Sequence, residues 1–182
     1  MGSISTGGFV AYPPLRPFVA RLAFTLFGPS LVALRFLASL AIGVAIVLAG
    51  WMAAELGGKR DAQILAGLAV AIGPVTVSAG GLFQYVSFDF LWWLAVAYFT
   101  VRLVSTDDPR CWFGIGAAIG LGMLTKYTIG VLVLGLVLGV VLTPARRYFK
   151  SGWLWAGVAL AVMIFVPNAV WQVRPISSHS IS

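Results

Sequence analysis

Two charged side chains, Asp89 and Lys126, lie inside long apolar stretches of the sequence. Asp89 belongs to the segment Gln84-Tyr-Val-Ser-Phe-Asp-Phe-Leu-Trp-Trp93, and Lys126 interrupts the stretch from Trp112 to Thr143. Burying an ionised carboxylate among apolar residues is costly, so we expect a partner or a function to compensate. An anion beside a cation at the mouth of a helical bundle suits a phosphorylated, amphipathic substrate. A single structural ion pair, or a lysine that snorkels to the lipid headgroups, explains the same residues equally well.

Three further side chains are candidates for binding lipid phosphate. Arg35 and Arg174 are predicted to lie at helix ends on the same side of the membrane as Asp89, although one cation at a helix end is also ordinary anchoring. Tyr85 lies in the same segment as Asp89. The sequence therefore predicts a polar cluster at one end of the bundle.

The composition excludes an ordinary soluble protein. Of the 182 residues, 60% are hydrophobic and 9% are charged, whereas soluble domains have about 45–50% and 25%. So much apolar surface requires lipid as its solvent. The net charge of +7 does not indicate nucleic-acid binding, because no run of Lys and Arg exceeds two residues. We expect membrane lipids, and no nucleic acid, as partners.

Common catalytic and metal motifs are missing from the sequence. Cys111 and His179 are its only cysteine and histidine, which excludes an internal disulfide framework and a Cys/His metal cluster. The sequence contains no Walker loop, GxSxG, HExxH, CxxC or dinucleotide fingerprint. It therefore predicts no metal site and identifies no cofactor.

The apolar segments predict an all-α membrane protein with about six transmembrane helices, preceded by one interfacial helix. A spanning helix needs about 20 apolar residues, so the longest stretches must fold back once. The predicted bundle comprises residues 31–173, with spans at 31–54, 62–79, 83–104, 112–125, 128–143 and 152–171. Residues 1–12 are predicted to be an external segment, 13–28 the interfacial helix and 174–182 a polar tail.

The basic residues predict the orientation of the bundle. In this threading seven of them fall on one face, which is expected to be cytoplasmic because loops there collect Lys and Arg; they are Lys59, Arg60, Arg102, Arg110, Arg146, Arg147 and Lys150. Asp89 and Lys126 then face the extracytoplasmic side. The first span would begin outside without a signal peptide or an upstream helix, so we expect the chain to be part of a longer protein.

Two small-xxx-small motifs, Gly116-Ala-Ala-Ile-Gly120 and Gly135-Leu-Val-Leu-Gly139, are expected to be helix-packing seams. Neither motif indicates a ligand site. Glycine is frequent in membrane helices because it lets two backbones approach closely.

Five short blocks occur in a familiar order along the chain. They are Tyr12-Pro-Pro-Leu15, Leu26-Phe-Gly-Pro-Ser30 leading to Ala33-Leu-Arg35, the acid at position 89, Gly120-Leu-Gly-Met-Leu-Thr-Lys-Tyr127 and Pro167-Asn-Ala-Val-Trp-Gln172. In this order they resemble the bacterial family 39 glycosyltransferases of the GT-C superfamily. Those enzymes are related to the dolichyl-phosphate-mannose protein mannosyltransferases and to the aminoarabinose lipid A transferases.

The resemblance implies a partial GT-C fold in a bacterial inner membrane and sugar transfer from a polyprenyl-phosphate donor to an extracytoplasmic acceptor. It places Tyr12 in the first external loop and Asp89 in the second, and it places Lys126 near the donor phosphate. A lysine there would stabilise the charge that develops on the departing phosphate.

The chain also departs from the family pattern. Family members carry an Asp-Glu pair before the Pro-Pro-Leu segment, and its Asp is the leading candidate for the general base. This sequence has no such pair. We therefore expect the chain by itself to be inactive, with Asp89 as its candidate catalytic residue. The alternative is a small polytopic transporter or lipid-binding membrane protein without enzymatic activity, although the internal repeats typical of transporters are missing.

Overall fold

The computed structural model describes residues 31–73 and 85–173, and these residues form an all-α protein. The elements are α1 (Leu31–Glu55), α2 (Arg60–Ala71), α3 (Tyr85–Thr106), α4 (Cys111–Thr125), α5 (Ile129–Leu142), a 3₁₀ helix (Pro144–Lys150) and α6 (Gly152–Val173). This confirms the predicted all-α fold class. The predicted external segment 1–12, interfacial helix 13–28 and polar tail 174–182 lie outside the described residues.

The helix bounds can be compared with the predicted spans. Five helices begin and end within two residues of a predicted span, namely α1, α3, α4, α5 and α6. Helix α2 covers the first part of the predicted span 62–79, and the rest of that span lies outside the described residues.

Within the described ranges, two helices are long and apolar enough to cross a membrane by themselves, Arg35–Glu55 of α1 and Val86–Thr106 of α3. Helix α5 and the 3₁₀ helix would make a third candidate, although they are bent by 102° relative to each other. Helix α4 and residues Gly152–Asn168 of α6 are apolar but shorter. The structure is that of an all-α membrane protein, and the remaining crossings of the six-span threading stay a prediction.

Local sequence signals explain where the helices end. After α1 the chain turns at Gly57, whose φ of +81° favours glycine, and the amide of Gly58 donates to the carbonyl of Ala53 over 2.8 Å. The turn before α4 is closed by Asp108, whose carboxylate accepts the Arg110 amide at 3.0 Å. These turns fix the separation of neighbouring helices.

The helices pack as a layer in which α3 lies between α1 and α4, while α2 packs on α1 and α6 packs on α4. Val96, Ile115 and Ile129 are among its fully buried side chains. Arg102 lies 3.7 Å from Glu55, so the C-terminal ends of α3 and α1 meet and the two helices run parallel. Many large apolar side chains remain exposed on the outer faces, as expected where lipid is the solvent.

The two small-xxx-small motifs behave differently. A Cβ at Gly116 would overlap the carbonyl oxygen of Gly157 on α6, and one at Gly120 would lie 3.0 Å from the Cβ of Ile164. The first motif is therefore a packing seam, as predicted. At Gly135 and Gly139 an added Cβ meets no described atom within 4 Å. The motif predicts only that another backbone is able to approach closely, and it does not predict which helix that is.

We expect Gly116→Ala to destabilise the bundle by about 2 kcal/mol, because the added methyl group must push α4 and α6 apart. Gly139→Ala is the matched control, since its methyl group enters open space, and its expected effect is zero or a slight stabilisation. Unfolding of the purified protein in mixed detergent micelles measures both. Equal stability of the two variants would show that Gly116 is not needed for the close packing of α4 on α6.

Candidate functional site

Asp89 lies one turn into α3, which begins at Tyr85. Its side chain is half-buried, and its Oδ1 atom is buried without a hydrogen-bond donor from the described residues. The carboxylate therefore keeps one buried acceptor atom that no described residue uses.

Asp89 opens into a groove of about 400 Å³ between α3 and α5. Its lining comprises Val86, Asp89, Phe90, Trp93, Leu94 and Ala97 of α3 and Leu132 of α5. Asp89 is the one ionisable residue in this lining. A groove of this composition can accept an apolar chain along its wall and a hydroxyl group at its carboxylate.

Two other polar atoms near Asp89 also lack partners among the described residues. They are Oγ of Ser87, a residue that is only 1% exposed, and Nε1 of Trp92. Neither residue could be identified as a site residue from the sequence, because serine and tryptophan are ordinary in membrane helices. With Asp89 they give the first two turns of α3 three buried polar atoms without a hydrogen-bond partner among the described residues.

Lys126 interrupts the apolar stretch as predicted, because it is the residue at which α4 ends. Its backbone is extended, with φ −161° and ψ 137°, and its amide donates to the carbonyl of Gly122 over 2.8 Å. Ile129, which is completely buried, begins α5 directly after the turn. The turn is thus anchored on both sides, and Lys126 within it is half-buried.

The structure brings Asp89 and Lys126 to the same end of the bundle. Helices α3 and α4 are consecutive and antiparallel, and at Gly122 an added Cβ would lie 3.2 Å from the Cβ of Trp92. Asp89 and Lys126 therefore lie at the same end of the bundle, and Asp89 also lines the apolar groove, while their roles stay a prediction.

Helix α6 contributes to this end as well. The ring of Phe165 meets Tyr127 edge-on at 6.4 Å between centroids, and Asn168, one turn further along, is only 5% exposed. Asn168 belongs to the block Pro167-Asn-Ala-Val-Trp-Gln172 but was not among the predicted site residues. The sequence feature that could have identified Asn168 is a polar amide in an apolar helix, because such a group is costly to bury unless it has a function.

The remaining predicted site residues are less well placed. Arg35 is exposed on α1; it lies at the same end as Asp89, because α1 and α3 run parallel, but it does not line the groove. Tyr85 begins α3, and its side chain is outside the described residues. Tyr12 and Arg174 also lie outside them. No group of three His, Cys, Asp or Glu that could hold a metal ion occurs in ranges 31–73 and 85–173.

A comparison with known protein families identifies the family of this chain. The family model described as dolichyl-phosphate-mannose-protein mannosyltransferase matches residues 11–171. The chain belongs to this family. It is therefore a membrane mannosyltransferase-like glycosyltransferase chain, and the resemblance found in the sequence is confirmed at the level of the GT-C families. No curated protein and no solved structure matches the chain.

The family match includes the elements that form the candidate site. Asp89, Lys126 and Asn168 all lie inside residues 11–171, together with the groove between α3 and α5. Mannosyltransferases of this description use a lipid-linked sugar in the membrane, which fits an apolar groove that carries a carboxylate. The charged pair and the groove are therefore the candidate site of the family's reaction.

Proposed function

We propose that this chain is part of a glycosyltransferase that moves a sugar from a polyprenyl-phosphate donor to an acceptor on the extracytoplasmic face of a bacterial inner membrane, as family 39 enzymes do. The family match supports the reaction class. The observation that carries the site is Asp89, which lines the apolar groove and has one buried oxygen without a hydrogen-bond partner among the described residues, at the end of the bundle where Lys126 also lies.

Lys126 would stabilise the departing phosphate in this proposal. The bond between the sugar and the donor phosphate breaks, a bond to an acceptor oxygen forms, and the acceptor proton passes to a base. Negative charge grows on the polyprenyl phosphate as it leaves, and a cation held in place lowers the energy of that transition state. The anchored turn that carries Lys126 supports this role.

Asp89 would orient a sugar or acceptor hydroxyl group, while the apolar groove takes part of the polyprenyl chain. Tyr12, Arg35, Tyr85 and Arg174 are proposed to contact the donor or lipid phosphate. The expected inactivity of the chain by itself belongs to the same proposal, since its sequence has no Asp-Glu pair before Pro13-Pro14. Donor binding therefore provides a test that does not depend on turnover.

Cysteine labelling tests both the sidedness and the donor site. In a Cys111→Ser background, Tyr127→Cys places a thiol beside Lys126 at a position that is 47% exposed, and Leu56→Cys places one at the opposite end. We expect a membrane-impermeant maleimide to label Tyr127→Cys in intact cells and Leu56→Cys only after permeabilisation. In reconstituted protein, polyprenyl phosphate should slow labelling of Tyr127→Cys several-fold, because its headgroup covers the turn.

Polyprenol without phosphate is the ligand control, and it should leave the labelling rate unchanged. Labelling of Leu56→Cys alone in intact cells would reverse the orientation. Equal labelling rates of Tyr127→Cys with and without polyprenyl phosphate would show that the donor phosphate does not bind at this end of the bundle.

A further inference from the structure

A second concave site lies at the end of the bundle opposite Asp89, where α5 meets the 3₁₀ helix. This basic pocket has a volume of about 670 Å³ and is lined by Leu142, Thr143, Pro144, Arg146, Arg147 and Lys150. Half of the lining residues are cationic and none is acidic. Its position separates it from the groove at Asp89, which lies between α3 and α5 near their other ends.

The bend that forms the basic pocket follows from Thr143 and Pro144. Thr143 is extended, with φ −116° and ψ 169°; its hydroxyl donates to the carbonyl of Gly139 at 2.7 Å and accepts the amide of Ala145 at 3.4 Å. Pro144 lacks an amide hydrogen and begins the 3₁₀ helix. The two helices consequently meet at 102°.

This bend places the basic pocket at the level of lipid headgroups. Helix α5 contains no charged residue and is largely exposed, so its surroundings are lipid. A segment that leaves its end at nearly a right angle runs along the membrane surface rather than into it. Arginine and lysine in such a segment lie where the phosphates of a bilayer lie.

Two of the three cations in the basic pocket are uncompensated. Arg147 donates to the carboxylate of Asp107 over 2.7 Å, and Tyr148 also donates to that carboxylate, which ties the 3₁₀ helix to the end of α3. Arg146 and Lys150 are exposed. Neither of them pairs with an acid in the part of the chain that the structure describes. Their charges are therefore available to an external anion.

The surroundings favour an amphipathic anion over a free one. Leu142 is 80% exposed and forms an apolar wall beside the two cations. Partly exposed aromatic residues follow directly along the chain, and the indole of Trp155 donates to the carbonyl of Phe149 over 3.1 Å. Tryptophan at such a position is typical of the membrane interface. An occupant with a phosphate and a hydrocarbon part matches both sides of the pocket.

We propose that the basic pocket binds the phosphate headgroup of an anionic phospholipid, which Arg146 and Lys150 hold while its acyl chains lie along α5. The lipid would thereby stabilise the bend of the 3₁₀ helix and the docking of that helix on α3. Basic pockets between membrane helices bind acidic lipids in this manner, and each cation near the surface strengthens binding several-fold. The proposal is independent of sugar transfer at Asp89 and Lys126.

Native mass spectrometry of the purified full chain in detergent, titrated with phosphatidylglycerol, tests the proposal. Arg146→Gln/Lys150→Gln should weaken the tightest binding event by about 10-fold or more, because two headgroup contacts are lost. Lys59→Gln/Arg60→Gln is the matched control: it removes the same charge from exposed residues at the same end of the bundle, and its affinity should stay within about 2-fold of wild type. Arg146→Lys/Lys150→Arg should bind almost normally.

Three outcomes would overturn the proposal. Equal losses in the two glutamine variants would show general attraction of acidic lipid to a basic protein. Equal affinity for phosphatidylcholine would show that the anionic headgroup is not recognised. Displacement of the lipid by millimolar inorganic phosphate would identify a site for free phosphate instead. If Arg146→Gln/Lys150→Gln fails to purify as a folded protein, Lys150→Gln alone replaces it. The single variant should then show about half of the double variant's loss of affinity on a logarithmic scale.

Discussion

Lys126→Ala is expected to lower sugar transfer by about 10²-fold or more in a parent protein that carries this segment, because it removes a preorganised charge beside the departing phosphate. The backbone of the turn should survive, since the amide of residue 126 still donates to Gly122 and Ile129 still anchors α5. The loss should therefore appear in turnover per folded molecule and leave membrane insertion unchanged.

The measurement is transfer of radiolabelled sugar from a polyprenyl-phosphate donor, normalised to correctly inserted protein. Lys126→Arg keeps the positive charge and should retain part of the activity, although a guanidinium has a different shape. Lys59→Ala is the matched control, because it removes an exposed lysine at the opposite end of the bundle. Normal turnover of Lys126→Ala would exclude a role of this lysine in the reaction.

The break at Lys126 could be predicted from sequence for a simple geometric reason. A helix advances about 1.5 Å per residue, so the stretch from Trp112 to Thr143 is too long for a single crossing and has to reverse. Lys126 was the charged residue in the middle of that stretch, which made it the natural turn. The same reasoning predicted α1 and α3, whose apolar segments are long enough to cross a membrane.

Contacts between helices were harder to predict than the helices themselves. Gly116 and Gly139 belong to identical patterns, yet only Gly116 faces another helix among the described residues. In lipid the hydrophobic effect does not distinguish a buried face from an exposed one, since both are apolar. The groove beside Asp89 was unpredictable for the same reason, because it depends on Leu132 of α5 lying against α3.

The polar residues of the site could also be predicted from the sequence only in part. Asp89 was conspicuous, because a carboxylate in an apolar segment is rare, whereas Ser87 and Trp92 are common residues there. Their burial without partners depends on the packing of the folded chain and is visible only in the structure. Arg147 and Asp107 lie far apart in sequence, and their pairing required the bend at Pro144.

Asp89→Asn is expected to reduce sugar transfer by about 10-fold to 100-fold in the same parent protein. The amide has nearly the shape of the carboxylate, so the groove stays intact, but it no longer accepts a proton or a strong hydrogen bond from a substrate hydroxyl group. Asp61→Asn is the matched control, because Asp61 is exposed on α2, and it should leave transfer unchanged.

The double variant Asp89→Asn/Lys126→Ala separates a catalytic pair from a structural ion pair. A structural pair predicts that each single substitution lowers thermal stability, because it leaves one charge half-buried and uncompensated, and that the double variant regains most of that stability. Turnover per folded molecule would then stay near wild type in all three variants. A catalytic pair predicts the opposite: both single variants unfold close to the wild-type temperature but transfer sugar slowly, and the double variant is at least as slow as either. Because one carboxylate oxygen of Asp89 is buried without a hydrogen-bond partner among the described residues, we expect the second result.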